Sequence, residues 1–309
     1  MDDLSLLHHW TVSTYAGFGD KTGDELTWQV DVPQMATKYP YIMHGVLAMS
    51  ALHLAYLQPE RSREYLAMSV EHQDVGLAVY RDYMINQSDI NYDNVHSVIA
   101  YGAFTIAYAF AWPDRDQPLV EPSPHWRGLM NWAILLRGPG GLGDIMSEKR
   151  DWLLQGPMAY QVRPDIPVDE GHYEVPLSPI AELEFIIDDS NPNVETLRKV
   201  YNLLNEAFHK SRPGTGCIGY KISVYRWVSA VPNEYLTLLC QFDPVAMVLL
   251  AHICVLIKLA SRSSWYMDGA AERTLKVVEE LLPLDMRHWM NWPKELIANE
   301  EVMNFCLGS

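Results

Sequence analysis

Apolar positions along the chain gather into blocks of helical length, and two of those blocks are apolar on every face. Residues 40 to 57 are broken only by His44, Ser50 and His53, so no side of a 3.6-residue turn is left for water. This predicts a helix surrounded by protein, closed by Pro59. Residues 94 to 112 repeat the pattern: the stretch from Ser97 to Ala111 carries no charge, Asp93 stands where a cap is needed, and Pro113 stops the run. Both segments are expected to be buried, with other helices wrapped around them.

The remaining blocks are amphipathic. Residues 3 to 16 predict a helix with Leu4, Leu7 and Val12 inward, and residues 61 to 85 a longer one facing the central helix through Tyr65, Met68, Val75, Val79 and Tyr83. Further helices are expected over 126 to 137, 144 to 155, 180 to 187, 194 to 208, 220 to 228, 235 to 240, 245 to 261 and 267 to 282. No strand-like alternation of useful length appears. The proline-rich, acidic stretch 156 to 178 predicts a long irregular surface connection. The later helices are apolar enough to need the earlier ones as partners. The expected fold is therefore all-α, a single large helical bundle domain spanning 1 to 309 with that loop inside it.

Composition narrows the function. With 49% hydrophobic residues a substantial core is assured. A net charge of −16 repels nucleic acid and anionic membrane surfaces, so no nucleic-acid partner is expected, and an anionic substrate would need a cation beside it. The four cysteines have no metal-like spacing and read as free thiols. The start, Met-Asp-Asp-Leu-Ser, lacks the basic and apolar parts of a signal peptide, which sets the expectation of an intracellular, cytoplasmic protein. The longest apolar run, 245 to 260, contains His252 and Lys258 and falls short of the roughly 20 residues a bilayer requires. It is expected to be a core helix, with no membrane span.

The order of these segments resembles the C-terminal regulatory domain of fungal zinc-cluster transcription factors of the sterol-uptake-control type. The likeness runs along nearly the whole chain. It is carried by Leu7-His8-His9, residues 41 to 56, His72-Gln73, Asn94 with His96, Tyr108-Ala-Phe-Ala111, Leu135-Leu-Arg-Gly138 and Trp152. It continues through Trp227 with Val231-Pro232, Pro244 with Ala251-His252, Trp265, and Trp289 with Trp292-Pro293. The resemblance implies an all-helical, often dimeric domain whose C-terminal helices enclose an apolar ligand such as a sterol, so a homodimer is an expected partner arrangement. The zinc cluster and basic linker of that family are not in this sequence, which begins six residues before the first marker. Noncanonical fungal humulene synthases look like the same domain without a DNA-binding module, and they imply a class I sesquiterpene cyclase acting on farnesyl diphosphate.

Such a cyclase needs divalent cations to ionise the diphosphate and a dry aromatic pocket to hold the cation. Asp114 and Asp116, flanking Arg115 after a helix lined with Tyr101, Phe104, Tyr108 and Trp112, are the expected Mg²⁺ ligands; a solvated turn is the competing reading. Asp188 and Asp189 form a second acidic site, set against a role at the N-terminus of the helix that follows. Arg115, Arg127 and Arg226 are the expected diphosphate partners, or else structural ion pairs. Tyr108, Trp112, Trp227, Met247, Trp265 and Met267 are the expected ligand pocket, against plain core packing. The histidines read as buried hydrogen-bonding groups. The leading expectation is a Mg²⁺-dependent sesquiterpene cyclase of humulene type. The alternative is a sterol- or lipid-sensing regulatory domain that does no chemistry and works in the nucleus.

Overall fold

The computed structural model describes residues 2–19, 26–111, 142–162, 178–211 and 216–299. Among them the regular structure is all helical, with no strand, as the periodicity predicts. Among the described residues contacts cluster into two compact units, one made of residues 2–19, 26–111, 142–162 and 263–266 and the other of 178–211, 216–262 and 267–299.

In the first unit the helices are α1 (Asp2–Val12), α2 (Val32–Lys38), α3 (Pro40–Leu57), α4 (Ser62–Ile85), α5 (Val95–Ala111), α6 (Leu142–Glu148) and α7 (Arg150–Leu153). α3 packs against α1, α2, α4 and α5, and its buried residues run continuously from Gly45 to His53. α5 is buried along nearly its full length, from Val95 to Ala111. Both helices thus behave as their uninterrupted apolar character requires. α5 begins at Val95, its first turn closed by the Val98 N–H donating to the Asn94 carbonyl, while the Asp93 carbonyl accepts from the Tyr39 hydroxyl.

Where α3 crosses α5, Gly45 gives Phe104 its place: a Cβ on Gly45 would stand 2.5 Å from Phe104 Cδ2. The Phe104 ring is then surrounded by Trp10 at 5.5 Å, Phe18 at 5.4 Å, Trp28 at 5.6 Å and Tyr101 at 6.2 Å between centroids. Most of these are edge-to-face or tilted contacts, which aromatic quadrupoles favour. The indole N–H groups inside find acceptors: Trp10 Nε1 donates to the Trp28 carbonyl at 2.8 Å, and Trp28 Nε1 to the Tyr160 hydroxyl at 2.9 Å.

Two helices turn a different face inward from the one expected. α1 buries Leu6 and Trp10 and leaves Leu4 and Val12 exposed. Trp10 decides the phase, because its ring has the larger apolar area to remove from water. α4 packs on α3, as expected, but through Tyr65, Ser69, Gln73, Gly76, Tyr80 and Met84, with Val75 and Val79 outside. Small and polar residues win this face because they permit close approach. Ser69 Oγ reaches the Ala48 carbonyl at 2.9 Å, and a Cβ on Gly76 would stand 2.9 Å from Tyr101 Cε2.

The first part of the connection expected to be irregular, 156 to 178, is also different. Pro157–Gln161 is a 3-10 turn with Met158, Ala159 and Gln161 buried, because Thr27 and Trp28 hydrogen-bond to Pro157 and Tyr160 and draw it onto the core. Residues 163–177 of that stretch lie outside the described ones.

The helices of the second unit are α8 (Ser178–Glu182), α9 (Val194–Lys210), α10 (Gly216–Ala230), α11 (Asn233–Cys240), α12 (Pro244–Ser261), α13 (Ala270–Leu281) and α14 (Asn291–Ala298). α12 is the core helix, in contact with α9, α10, α11, α13 and α14. Asp243 starts it by accepting from the Ala246 N–H at 2.9 Å, with Pro244 in the first turn where a missing N–H costs nothing. By length and composition α12 could cross a membrane, and it is the one such helix among the described residues; 72% of its apolar window is buried inside the protein, as a core helix requires. α9 supplies an amphipathic wall through Leu197, Val200, Tyr201, Leu204, Ala207 and Phe208. His252 on α12 stacks on Trp292 at 5.5 Å, its Nδ1–H donating to the Val248 carbonyl at 2.8 Å. Burial pulls its pKa down to about 4.

Two outcomes follow from this packing. Gly45→Ala is expected to destabilise the chain by about 1–3 kcal/mol in urea unfolding, since the buried Phe104 ring has no room to retreat, while Val79→Ala on the exposed face stays within about 0.5 kcal/mol. His252 is neutral in the fold and titrates near 6.5 when unfolded, so its contribution is complete above about pH 6.5 and is lost as the pH falls toward 4. The loss is on the order of 3 kcal/mol at the acid end. Melting curves across that window should show it, and His252→Phe should flatten the dependence.

Candidate functional site

In the first unit a group of polar rings gathers from three distant stretches of chain. His9 comes from α1, Thr14 from the turn Thr14–Gly17, His53 and Tyr56 from α3, and Trp265 from the 3-10 turn Trp265–Met267. The His53 ring lies 4.6 Å from Trp265, nearly parallel at 20°, and 5.1 Å from His9. Thr14 Oγ1 and His53 Nδ1 are 3.1 Å apart. Tyr56 stands 5.8 Å from Trp265.

Local features hold Trp265 there. Gly17 is the residue that lets the backbone approach, since a Cβ on it would lie 2.7 Å from Trp265 Cδ1. On one side of the indole, Ser264 Oγ donates to the Gly17 carbonyl at 3.2 Å; on the other, the Tyr266 ring sits 5.2 Å from Phe18.

The site is polar and uncharged. Burial, followed by the nearness of His9, pulls the His53 pKa down to about 4. Burial and then His8 lower that of His9 as well. Among the described residues, His9 Nε2 and Trp265 Nε1 are both sealed from solvent with no hydrogen-bond partner. A buried polar atom left unpaired costs about 1–3 kcal/mol, and here two occur in one cluster.

A second histidine pair links α3 to α4. His44 Nδ1 and His72 Nδ1 are 3.1 Å apart with ring centroids at 5.3 Å, and Asp3 lies 3.6 Å from His72 Nε2. The 3.1 Å separation is that of a ring-to-ring hydrogen bond. These histidines are hydrogen-bonding groups, as the sequence reading expects.

The residues expected to form a pocket are divided between the units. Tyr108 and Trp265 belong to the first, where Tyr108 is hydrogen-bonded to Ser69 and burial raises its pKa. Trp227, Met247 and Met267 belong to the second, all buried; Trp227 meets the Tyr235 ring edge-on at 5.9 Å, and its Nε1 has no hydrogen-bond partner among the described residues. Asp188 and Asp189 occupy an exposed turn before α9. Asp188 Oδ1 accepts from the Ser190 N–H at 2.8 Å, which lowers its pKa, and Asp189 pairs with Arg198. Arg226 is half-buried on α10. Trp112, Asp114, Arg115, Asp116 and Arg127 lie outside the described residues. Among the described residues no group of three or more His, Cys, Asp or Glu stands close enough to hold a metal.

The sequence offers Trp265 as a pocket-lining candidate and reads His9 and His53 as buried hydrogen-bonding groups, and it does not single out Thr14. The signal that sets them apart, two unpaired atoms in one cluster, exists only once the chain is folded.

No family model matches the chain. It is similar to Sterol uptake control protein 2 of Candida albicans, with 31% identity over 133 residues, covering 41% of this chain and 17% of that protein. It is also similar to the Zn(2)-C6 fungal-type transcription factor afumD of Aspergillus fumigatus, 36% identical over 62 residues, covering 19% of this chain and 17% of the relative. The matched part thus spans about a sixth of the length of either relative. These likenesses overturn the expectation of a terpene cyclase, a lyase of humulene type: the proteins matched are named for sterol-uptake control and transcription. Over about 40% of its length the chain is similar to fungal zinc-cluster transcription factors of the sterol-uptake-control type.

Proposed function

We propose that the chain is a ligand-sensing helical domain of the fungal regulatory type, which binds an apolar small molecule of the sterol or lipid class and performs no chemistry on it. The likeness to a protein named for control of sterol uptake carries this reading. The all-helical architecture supports it. A nuclear place of action and a homodimer belong to the same proposal.

Titration of the purified chain with the fluorescent sterol dehydroergosterol tests it. Saturable binding is expected, with the sterol recovered unaltered by mass spectrometry; absence of binding, or recovery of a converted product, defeats the reading. These 309 residues, at a net charge of −16, are also expected to shift no duplex DNA in a gel at physiological salt, because that charge opposes contact with the phosphates. A sequence-specific, salt-dependent shift would contradict that.

A further inference from the structure

We propose that residues 150–162 form a strap latched to α5 by the neutral imidazole of His96, and that protonating this one ring releases the strap while the rest of the first unit stays folded. The proposal is independent of what the chain binds. The strap consists of the short helix α7, a turn, and the 3-10 turn Pro157–Gln161. Its backbone hydrogen bonds are local: the Leu154 N–H donates to the Arg150 carbonyl, that of Gly156 to Leu153, that of Ala159 to Gly156 and that of Val162 to Ala159. A segment built this way is held to the unit by its buried side chains, Leu153 and Met158 above all, and by hydrogen bonds to side chains outside it. Thr27 and Trp28 make two of these, at Pro157 and Tyr160, and His96 makes two more.

His96 stands in the first turn of α5 and meets the strap at three places. Its Nδ1 accepts from the Met158 N–H at 3.4 Å. The ring also bonds to the Trp152 carbonyl, and since Nδ1 is an acceptor, the donor there is Nε2–H. Gly156 lets the imidazole lie against the strap's backbone, because a Cβ on it would stand 2.3 Å from His96 Nε2. Both nitrogens are thus used in a single tautomer. A proton added to Nδ1 makes it a donor facing another donor, the Met158 N–H, and puts a charge into a half-buried site. The latch therefore requires the neutral ring.

Burial lowers the His96 pKa from 6.5, and the bond to Trp152 offsets part of that. On the elements packed around it the titratable groups are Tyr92 and Asp93 before α5, Asp144 and Glu148 on α6, Lys149, Arg150, Asp151 and Tyr160 along the strap, and Asp31 in the turn Thr27–Asp31. None of them has a part in the shift. The latch is complete above about pH 6.5 and is lost as the pH falls through the lowered value.

Hydrogen–deuterium exchange of the whole chain, read by mass spectrometry at pH 7.5 and 5.5 and corrected for the intrinsic pH dependence of exchange, tests this. Protection of residues 150–162 is expected to fall severalfold at the lower pH, up to about tenfold, the limit for one group that titrates near 6.5 when released. The middle of α5, residues 98–107, keeps its protection. His96→Asn leaves an acceptor near the Nδ1 position and does not titrate, so its strap is expected to exchange alike at both pH values. Gly156→Ala drives the ring away and is expected to open the strap at pH 7.5 at least as far as acid opens the wild type, with no further response to acid. Far-UV circular dichroism confirms the fold of each variant; if one fails to fold the other decides, and the wild-type comparison stands by itself. Strap protection that is equal at the two pH values, that falls in step with the middle of α5, or that still responds to acid in either folded variant overturns the proposal.

Discussion

The packing of Phe104 against Gly45 is the contact on which the first unit depends. With any larger residue at position 45 the α3–α5 crossing would open, and the rings of Trp10, Phe18 and Trp28 would lose the surface around which they are arranged. The same device recurs one helix away, where Gly76 on α4 admits Tyr101. Two glycines inside helices are each less favourable than alanine by roughly 1 kcal/mol in intrinsic propensity. Close ring packing offsets this, since a buried aromatic side chain gains several times as much from leaving water.

That dense aromatic packing leaves polar groups in difficult places, and the unit deals with most of them. The Tyr41 hydroxyl donates to Ser97 Oγ at 2.7 Å, which in turn donates to the Asn94 carbonyl, so two buried hydroxyls are satisfied in one chain. His44 and His72 satisfy each other. Against this background of paired groups, His9 Nε2 and Trp265 Nε1 have no hydrogen-bond partner among the described residues. Gln73 Oε1 and Tyr80 OH are also unpaired in this unit, on the face of α4 turned toward Tyr101, and nothing in the structure explains them.

In the second unit the organising element is α12, and its ends rather than its middle tie it to polar chemistry. Asp243 caps its start, and near its end Lys258 pairs with Glu272 of α13. Exposed pairs of this kind contribute little to stability, about 0–1 kcal/mol. The apolar surface along Ala246 to Ala260 therefore does most of the holding. The net charge of −16 is carried by surface carboxylates such as Asp188 and Asp189, which are held by a backbone N–H and an arginine.

By itself the sequence determined that the chain is helical, where the two buried helices of the first unit lie, and that α12 is a core helix, because segments apolar on every face have one stable environment. The faces of α1 and α4 were decided only by tertiary structure: periodicity ranks Val75 and Val79 above Ser69 and Gly76 as core residues, yet close approach of two helices rewards the smaller side chains. The partners of Trp265 were decided in the same way. Ser264 meets Gly17 across 247 residues of sequence, and no local pattern encodes a contact whose energy depends on both surfaces being already folded.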